Sequence, residues 1–460
     1  MSLRPPRWLL RPLLAGLALR LAALFLAPSV PILGDSMAYV FLGRELRDQG
    51  RFSDPEGGVR PPLEPALVAL GLGEATAGDP IEPGVCGAFP GVYLVQIVAD
   101  LLALVLLARL AMRLFGERAG AATGWLHALL PSAVLYASTV VMAESVALLC
   151  GAAAVERLQA LDRALSLRTR AWLPAALGLG AALGAGLLAK ELGMLVALAG
   201  LLAVLLRPGV SVARRAAGCG LACLTLLAVT APWAVRNLER HGLLLPTGSF
   251  GHVSVVVDNA PPGESGWLLL QQDKSLAARI ALSHDILRRE LFEYPALTAQ
   301  RALARLRMLL GPEAALPAWL ASGFDGYQAD ARSNLLMVRD AWHLRPGVGR
   351  TAQLLASVTS VLLFACAAAG LLLAGPGSLR RATLLLAVGL VISSALTVAE
   401  ARYRLALLPF ALPFAGLAVA TLLDPAARAA ADPRRMRSAR RAGLITGALL
   451  AVTILTLPPP

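Results

Sequence analysis

The sequence has few charged and few aromatic residues for its length. Charged residues make up 15% of the 460 positions and aromatic residues 5%, whereas hydrophobic residues make up 57%. An average soluble domain has about 25% charged and about 45–50% apolar residues, so these values exclude an ordinary soluble enzyme. Lysine is rarer still, since Lys190 and Lys274 are the only two and almost all of the basic charge is arginine.

Cysteine and histidine are also scarce, and their placement excludes most of the sites they usually build. Five cysteines are an odd number, and most lie in apolar runs, so we expect no disulfide framework. Cys219 and Cys223 are one helical turn apart without a neighbouring histidine or carboxylate, which favours membrane packing over a metal site. The histidines show no ligand spacing, and only His252 merits a test as a metal ligand. The sequence leaves dependence on a divalent metal open, and it contains no nucleotide-binding fingerprint.

Long apolar runs dominate the sequence instead. A bilayer core is crossed by about 20 helical residues, and hydropathy windows predict about eleven such spans. The predicted spans are residues 8–28, 91–113, 119–137, 138–156, 171–189, 191–206, 216–233, 352–374, 382–398, 404–423 and 442–457. The predicted fold class is an all-α polytopic membrane protein with a mixed external segment between the seventh and eighth spans.

The arginines predict how these spans are oriented. If the N-terminus is cytoplasmic, every second short connection is arginine-rich, as the positive-inside rule requires. The net charge of +13 therefore indicates membrane orientation and not a nucleic-acid partner. The arrangement divides the chain into an N-terminal transmembrane module (1–233) with a first external loop (31–90), an external segment (234–351) and a C-terminal transmembrane module (352–460). It predicts a multi-pass protein of the inner, cytoplasmic membrane.

Asp35 follows the first span in the sequence Gly34-Asp35-Ser36-Met37-Ala38-Tyr39. One interpretation is a helix N-cap, in which the carboxylate accepts hydrogen bonds from free backbone N–H groups. The other is a carboxylate at the lipid–water boundary that accepts a proton from a hydroxyl nucleophile. Arg60, in the stiff turn Arg60-Pro61-Pro62, could likewise be a structural element or a fork that binds a phosphate through two hydrogen bonds.

Two further groups of charged residues lie at the predicted external ends of spans. Glu144 is an ionisable group inside a span and is therefore a functional candidate. Lys190 and Glu191 share an external hairpin, where they either neutralise each other or contribute to a site. Arg402 and Arg404 run against the positive-inside trend, which indicates a negative ligand such as a lipid phosphate, or anchoring in the headgroup layer.

These clusters, in this order, resemble the GT-C superfamily of integral-membrane glycosyltransferases, in particular the bacterial branch related to protein O-mannosyltransferases and lipid A aminoarabinose transferases. The resemblance runs through most of the chain. The matching motifs are Gly34-Asp35 with Tyr39, Arg60-Pro61-Pro62, Glu144 after Tyr136, Pro232-Trp233-Ala234-Val235-Arg236-Asn237, and Arg402-Tyr403-Arg404. Ser36 stands where many relatives have a second acidic residue, and Glu64 where many have a tyrosine.

The resemblance implies a hexosyl- or pentosyltransferase that uses a polyprenyl-phosphate sugar as its donor and inverts the anomeric carbon in one displacement. It implies that Asp35 is the general base that deprotonates an acceptor hydroxyl on a lipid, glycan or protein. It also implies two sets of binding residues. The donor phosphate would be bound by Arg402, Arg404, Arg60 and Lys190, and the donor and acceptor pocket would include Tyr39, Glu144, Glu191, Arg236, Asn237 and Tyr403.

Three other classes of protein fit the same composition. A transporter or lipid flippase also needs many helices and a few intramembrane charges, although internal symmetry and broken helices are typical of that class. A non-catalytic membrane scaffold and an O-antigen ligase or polymerase are the other two alternatives. The concentration of polar residues at one face favours the transferase over the transporter.

Overall fold

The computed structural model shows a protein that is helical throughout the part of the chain it describes. The described residues are 7–26, 35–53, 59–72, 89–261, 264–272, 275–310, 348–397 and 401–456. Within these ranges the regular elements are helices, and no strand occurs, including in the described part of the external segment that the sequence predicts to be mixed. Gly34 and parts of the two predicted external stretches (54–58, 73–88 and 311–347) lie outside the described residues.

We number the described helices α1 to α19 in chain order. They are α1 Arg7–Leu26, α2 Asp35–Gln49, α3 Leu63–Gly71, α4 Pro90–Phe115, α5 Glu117–Leu129, α6 Pro131–Ser138, α7 Glu144–Ser166, α8 Trp172–Ala189, α9 Gly193–Leu205, α10 Val212–His241, α11 Phe250–Asp258, α12 Gly266–Gln272, α13 Leu276–Phe292, α14 Pro295–Leu310, α15 Val348–Leu373, α16 Ser378–Leu396, α17 Leu408–Leu423, α18 Pro425–Ala430 and α19 Pro433–Thr456. A 3₁₀ helix, Ala401–Leu407, leads into α17.

Among the described residues, seven helical segments are long and apolar enough to cross a membrane, which confirms the all-α polytopic class. They are Trp8–Phe25, Pro90–Phe115, Trp172–Ala189, Val212–His241, Leu355–Leu373, Ser378–Leu396 and Arg402–Leu423. Each overlaps a span predicted from the sequence. The count of about eleven stays a prediction, because the other four predicted runs differ from these segments in length or continuity.

The predicted run 119–137 is broken at Pro131, which begins α6 after Leu130 takes an extended conformation. Proline lacks the N–H that a continuous helix requires and disfavours helical geometry in the residue before it. The next run begins later than predicted, since α7 starts only at Glu144. This shift matters for the site, because it places Glu144 in the first turn of α7 and not in the interior of a longer helix.

Glycine lets neighbouring spans approach closely. A Cβ added at Gly180 of α8 would collide with the carbonyl oxygen of Ala222 in α10, and one at Gly184 would collide with Val229 of the same helix. Small residues on facing helices allow backbones to pack without large side chains between them. Packing of α8 against α10 therefore depends on these two glycines. This packing sets the position of the C-terminal end of α8, which leads into the Lys190–Glu191 hairpin.

A buried ion cluster joins α1 to the rest of the bundle. Arg20 is fully buried, and its Nε and a terminal nitrogen lie 2.7 Å and 2.5 Å from Oδ2 of Asp100 in α4. His127 of α5 lies 3.1 Å from the other carboxylate oxygen, and Arg20 also donates to the carbonyl of Gly16. A buried charge needs a partner and further hydrogen bonds, and here three helices contribute them. The partner of Arg20, which the sequence does not reveal, is therefore Asp100.

The described part of the 234–351 segment forms four helices outside the candidate spans. The sequence periodicity of residues 275–310 predicts two surface helices with a break at Tyr294–Pro295, and α13 and α14 confirm the helices and the break. Ser275 begins α13 by accepting a hydrogen bond from the backbone N–H of Ala278. Phe292 is 79% exposed, as expected of a residue that faces lipid or headgroups.

Candidate active site

Asp35 is the first residue of α2, and its carboxylate bridges two arginines. Oδ1 accepts a hydrogen bond of 2.7 Å from Arg60, and Oδ2 accepts one of 3.0 Å from Arg402. The side chain is one-third exposed, at 33%, so it faces both the protein and an opening. Burial raises the pKa of Asp35, but the guanidiniums of Arg402 and Arg60 outweigh burial and hold this pKa well below its usual range. The carboxylate is therefore ionised at neutral pH.

Arg60 is presented by the turn before α3, and aromatic rings surround it. Its guanidinium carbon lies 3.8 Å from the ring centre of Phe250, at the start of α11, and 5.6 Å from that of Tyr39. Only 4% of the residue is exposed. Stacking on aromatic rings is favourable for a guanidinium, and it leaves the planar edge pointing at Asp35. The phenol of Tyr39 is buried, which raises its pKa well above the usual range.

A second set of paired charges lies beside the first. Lys190 Nζ is 2.5 Å from Oε1 of Glu144, and a terminal nitrogen of Arg402 is 3.9 Å from the same oxygen. Arg402 therefore contacts both carboxylates and joins the two pairs. Tyr403 lies over this cluster, with its ring centre 5.7 Å from Lys190 Nζ. The hypothesis that Lys190 and Glu191 neutralise each other is wrong, because Lys190 pairs with Glu144 and Glu191 bonds to backbone amides of α11.

The structure adds Glu64 to the candidate site residues. The sequence singles out Glu64 only because many GT-C proteins have a tyrosine at this position. Glu64 is fully buried in α3, and neither carboxylate oxygen has a hydrogen-bond partner among the described residues. Burial raises the pKa of Glu64 well above its usual range; the charge of Glu144 raises it further, and Lys190 lowers it. The signal in the sequence is a lone carboxylate between prolines in an apolar stretch.

An open cavity lies next to this cluster, between helices of the bundle. Glu144, Lys190 and Arg402 lie at its polar end. The rest of its wall comes from α7, α8, α9 and the start of α17, with mainly small or aliphatic side chains. This part of the lining is Ala147, Leu148, Cys150, Gly151, Ala154, Ala182, Leu183, Gly186, Leu192, Gly193, Val196, Leu405, Ala406 and Pro409. The cavity thus pairs a charged mouth with an apolar interior.

Two other predicted site residues, Arg236 and Asn237, form contacts that stabilise the neighbouring structure. Arg236 donates to Asn237 and to the carbonyl of Phe52 and stacks on Trp233. Asn237 is fully buried and donates to the carbonyl of Leu245. These contacts fasten the end of α10 to the loops on either side.

Arg404 is buried and lies against other elements. It donates to the carbonyl of Leu310 at the end of α14, at 3.3 Å, and its guanidinium is 5.9 Å from the ring of Phe364 in α15. The structure thus brings together seven predicted site residues around one point, and it places Arg236, Asn237 and Arg404 in supporting contacts. The seven residues are Asp35, Tyr39, Arg60, Glu144, Lys190, Arg402 and Tyr403.

Among the described residues, His252 contacts Ser283 and His284. Its Nδ1 lies 2.8 Å from the hydroxyl of Ser283, and its ring is 5.4 Å from that of His284. Across the described ranges, no three His, Cys, Asp or Glu side chains are grouped so that they could hold a metal ion.

The fold and the site define a multi-pass helical membrane protein with an ion cluster at the mouth of an apolar cavity. Residues 88–235 match the family model described as dolichyl-phosphate-mannose-protein mannosyltransferase. This range contains Glu144, Lys190 and Glu191, whereas Asp35, Arg60 and Arg402 lie outside it. The match confirms the resemblance to the GT-C superfamily that the motifs predict. No curated protein matches the chain.

Several solved structures share a distant similarity with the chain. Two are of the Archaeoglobus fulgidus oligosaccharyltransferase, one in complex with zinc and sulfate (14% identity, TM-score 0.49) and one tethered to an acceptor peptide (15% identity, TM-score 0.48). The alignments cover 96% of this chain and 52% and 55% of those chains, so this chain spans about half their length. A third is ArnT from Cupriavidus metallidurans bound to undecaprenyl phosphate, with 15% identity, a TM-score of 0.41, and coverage of 97% of this chain and 89% of that one.

Proposed function

We propose that this protein is a membrane glycosyltransferase that moves a sugar from a polyprenyl-phosphate donor to an acceptor hydroxyl at the outer face of the cytoplasmic membrane. One observation carries the proposal. A carboxylate, Asp35, is held between two arginines beside the charged end of a cavity with an apolar lining. A polyprenyl-phosphate sugar needs this combination, because its phosphate is anionic, its tail is apolar and its transfer requires a base.

The cations at the mouth of the cavity are suited to the donor phosphate. Arg402 and Lys190 line the cavity, and Arg60 reaches Asp35 from the other side. Fixed cations stabilise the charge that develops on a departing phosphate, which is often the largest contribution to lowering a barrier. We assign the phosphate to these three residues, and a phosphate contact of Arg404 stays a prediction.

The cavity between α7, α8 and α9 is suited to the first isoprene units of the donor. Its lining offers little hydrogen bonding, and apolar surface removed from water contributes about 25 cal/mol per Å². Gly151, Gly186 and Gly193 also belong to the lining and bring no side chain to it. A soluble nucleotide sugar would gain nothing from such a wall, so this part of the site favours a lipid-linked donor.

The proposed reaction is a single inverting displacement. Asp35 takes the proton of the acceptor hydroxyl, and the acceptor oxygen forms a bond to the anomeric carbon. The bond from that carbon to the phosphate oxygen breaks, and both of its electrons leave with the polyprenyl phosphate. Tyr39 lies beside Arg60 and Tyr403 beside Lys190, and we assign both rings to the sugar pocket. The acceptor would be a lipid, glycan or protein.

The test is release of polyprenyl phosphate by the purified protein from a panel of polyprenyl-phosphate sugars. We expect release from one donor by the wild type and a loss of about 10²-fold or more in Arg402→Ala, the typical loss for removing one fixed donor at a developing charge. Arg428→Ala, on the exposed surface of α18, is the matched control and should match the wild type. Absence of release from every donor, with intact donor crossing between leaflets of a vesicle, would contradict the proposal and support a flippase.

A further inference from the structure

Glu191 begins a chain of contacts that reaches Arg60. Its two carboxylate oxygens accept hydrogen bonds from consecutive backbone N–H groups at the start of α11, from Phe250 at 2.6 Å and from Gly251 at 2.5 Å. The first N–H groups of a helix have no partner within the helix and carry its positive dipole end. A carboxylate from a distant hairpin therefore caps α11 and fixes where this helix begins.

The start of α11 is in turn joined to the turn that presents Arg60. The N–H of Ser249 donates to the carbonyl of Val59 at 2.7 Å, and the hydroxyl of Ser249 accepts from the N–H of Val59 at 2.9 Å. Phe250, the next residue, forms the aromatic surface 3.8 Å from the Arg60 guanidinium. The position of Arg60 thus depends on the position of α11.

Gly248 shows how tightly these three segments fit. A Cβ at this position would collide with Oε1 of Glu191, with the carbonyl of Val59 and with the ring of Pro61. The first of these atoms belongs to the Lys190–Glu191 hairpin, and the other two belong to the turn that presents Arg60. The glycine is therefore required by the close approach of the hairpin, the turn and the segment before α11.

We infer that Glu191 is a positioning residue that holds α11 against the turn of Arg60 and so fixes this guanidinium beside Asp35. The inference rests on the proposed function, since Arg60 matters there as a ligand of the donor phosphate. Glu191 does not touch the reacting atoms in this arrangement. It acts through Phe250 and Arg60, and the lining of the cavity does not include it.

The ionised form of Glu191 is the one that can accept both N–H groups without competition from its own proton. Burial raises the pKa of Glu191 to about 7; the amides of Gly251 and Phe250 and the charge of Arg60 lower it, and the charge of Asp35 raises it. Lys190, the adjacent residue, pairs with Glu144. Among the described residues, Arg60 and Asp35 are the charged groups that act on this carboxylate. As pH falls through about 7, the cap should weaken and Arg60 should lose its fixed position.

Stability should change in the opposite direction over the same range. A carboxyl group whose pKa is raised by folding binds its proton more tightly in the folded state, so its contribution to stability falls as pH rises from 4.5 to about 7. Loss of activity at acid pH would therefore not be explained by unfolding. This opposition separates a positioning role from a merely structural one.

The experiment compares wild type with Glu191→Gln, Glu191→Ala, Gly248→Ala and Phe250→Leu, with Glu293→Gln on the exposed end of α13 as the matched control. Donor release gives kcat, KM and their pH profiles. Two readouts need no donor: amide hydrogen exchange of the peptide that contains Phe250 and Gly251, and phenylglyoxal modification of Arg60 measured by mass spectrometry.

We expect Glu191→Ala to lower kcat/KM by about 10- to 100-fold, the scale of a displacement of up to 1 Å in a site. Glu191→Gln should lose less and should lack the acid limb near pH 7. Exchange at the start of α11 and modification of Arg60 should both rise several-fold in Glu191→Ala and Gly248→Ala. Phe250→Leu should raise modification of Arg60 alone, because it keeps the backbone N–H groups.

Unchanged exchange and unchanged modification in folded Glu191→Ala would overturn the inference, whatever the activity. Activity of that variant within twofold of an active wild type would overturn it as well. Release by no variant, including the wild type, would instead refute the proposed function, and the two donor-free readouts would still decide whether Glu191 positions Arg60.

Discussion

Replacing Asp35 with asparagine tests the centre of the proposed mechanism with little change in shape. The amide keeps one oxygen that can accept a hydrogen bond, but it loses the negative charge and cannot accept the proton of a hydroxyl nucleophile. One of the two arginines that now contact the carboxylate would face an NH₂ group instead of an oxygen. The substitution therefore removes the base, whereas the volume of the side chain at the start of α2 stays almost the same.

The structure predicts that the loss of rate exceeds the loss of stability. A positioned general base contributes about 10²–10⁴-fold to the rate, which corresponds to about 2.7–5.4 kcal/mol of transition-state stabilisation. The side chain of Asp35 is 33% exposed, whereas those of Arg60 and Arg402 are 5% and 15% exposed. Losing the two ion pairs should therefore cost about 1–3 kcal/mol of folding free energy, between the values for an exposed pair and a fully buried pair. Turnover should fall by at least two orders of magnitude in a protein that is still folded.

The assay is donor release at saturating donor, with the melting temperature of each purified variant measured in the same detergent. Asp48→Asn is the matched control, because Asp48 lies on the same helix, is exposed and pairs only with Arg47 in the contacts described. We expect the control to keep wild-type turnover. Turnover of Asp35→Asn within threefold of wild type would refute the assignment of Asp35 as the base.

Three further predictions follow from the structure. Gly186→Leu should fill the apolar cavity and raise KM for a long-chain donor about tenfold more than for a short-chain donor. Gly220→Leu is the control and should leave both KM values unchanged, because an added Cβ at this position meets no neighbouring atom. Equal effects of Gly186→Leu on the two donors would argue against a lipid site. Asp100→Asn leaves Arg20 buried without its counter-charge and should cost about 3–5 kcal/mol of folding free energy, seen as a large drop in melting temperature. Ionisation of Glu64 is unfavourable in the folded state because its pKa is raised, so the wild type should lose stability as pH rises above 4.5. Glu64→Gln should lose less stability over the same pH range. An unchanged pH dependence of stability would contradict this prediction.

The sequence predicts the cluster around Asp35 because order along a membrane chain constrains position. If the spans alternate, residues that follow the first predicted span, lie near the start of the fourth and precede the tenth must all lie at the same end of the bundle. Asp35, Glu144 and Arg402 meet this condition, and they come together in the structure. The motifs predict which residues matter, and the alternation of spans predicts that they meet.

The partners of individual charges could not be predicted in the same way. Lys190 pairs with Glu144, 46 residues away, and Arg20 with Asp100, 80 residues away. These pairs depend on how each helix is rotated about its own axis, and packing of small residues such as Gly180 against α10 sets this rotation. Hydropathy windows carry no information about rotation, so the sequence left open whether Lys190 and Glu191 neutralise each other. In the structure they contact different neighbours.

The ion cluster also constrains how the proposed reaction can begin. Each cation assigned to the phosphate is already paired with a carboxylate: Arg60 and Arg402 with Asp35, and Lys190 with Glu144. A base held between two guanidiniums has a low pKa and is a weak proton acceptor, since efficient general bases have pKa values near the working pH. A donor phosphate would compete with Asp35 for the same arginines, and each hydrogen bond it takes over would raise the proton affinity of this carboxylate. Donor binding would thus raise the pKa of Asp35 and make it a stronger base. The acceptor would then be deprotonated only when a sugar is in place to receive it.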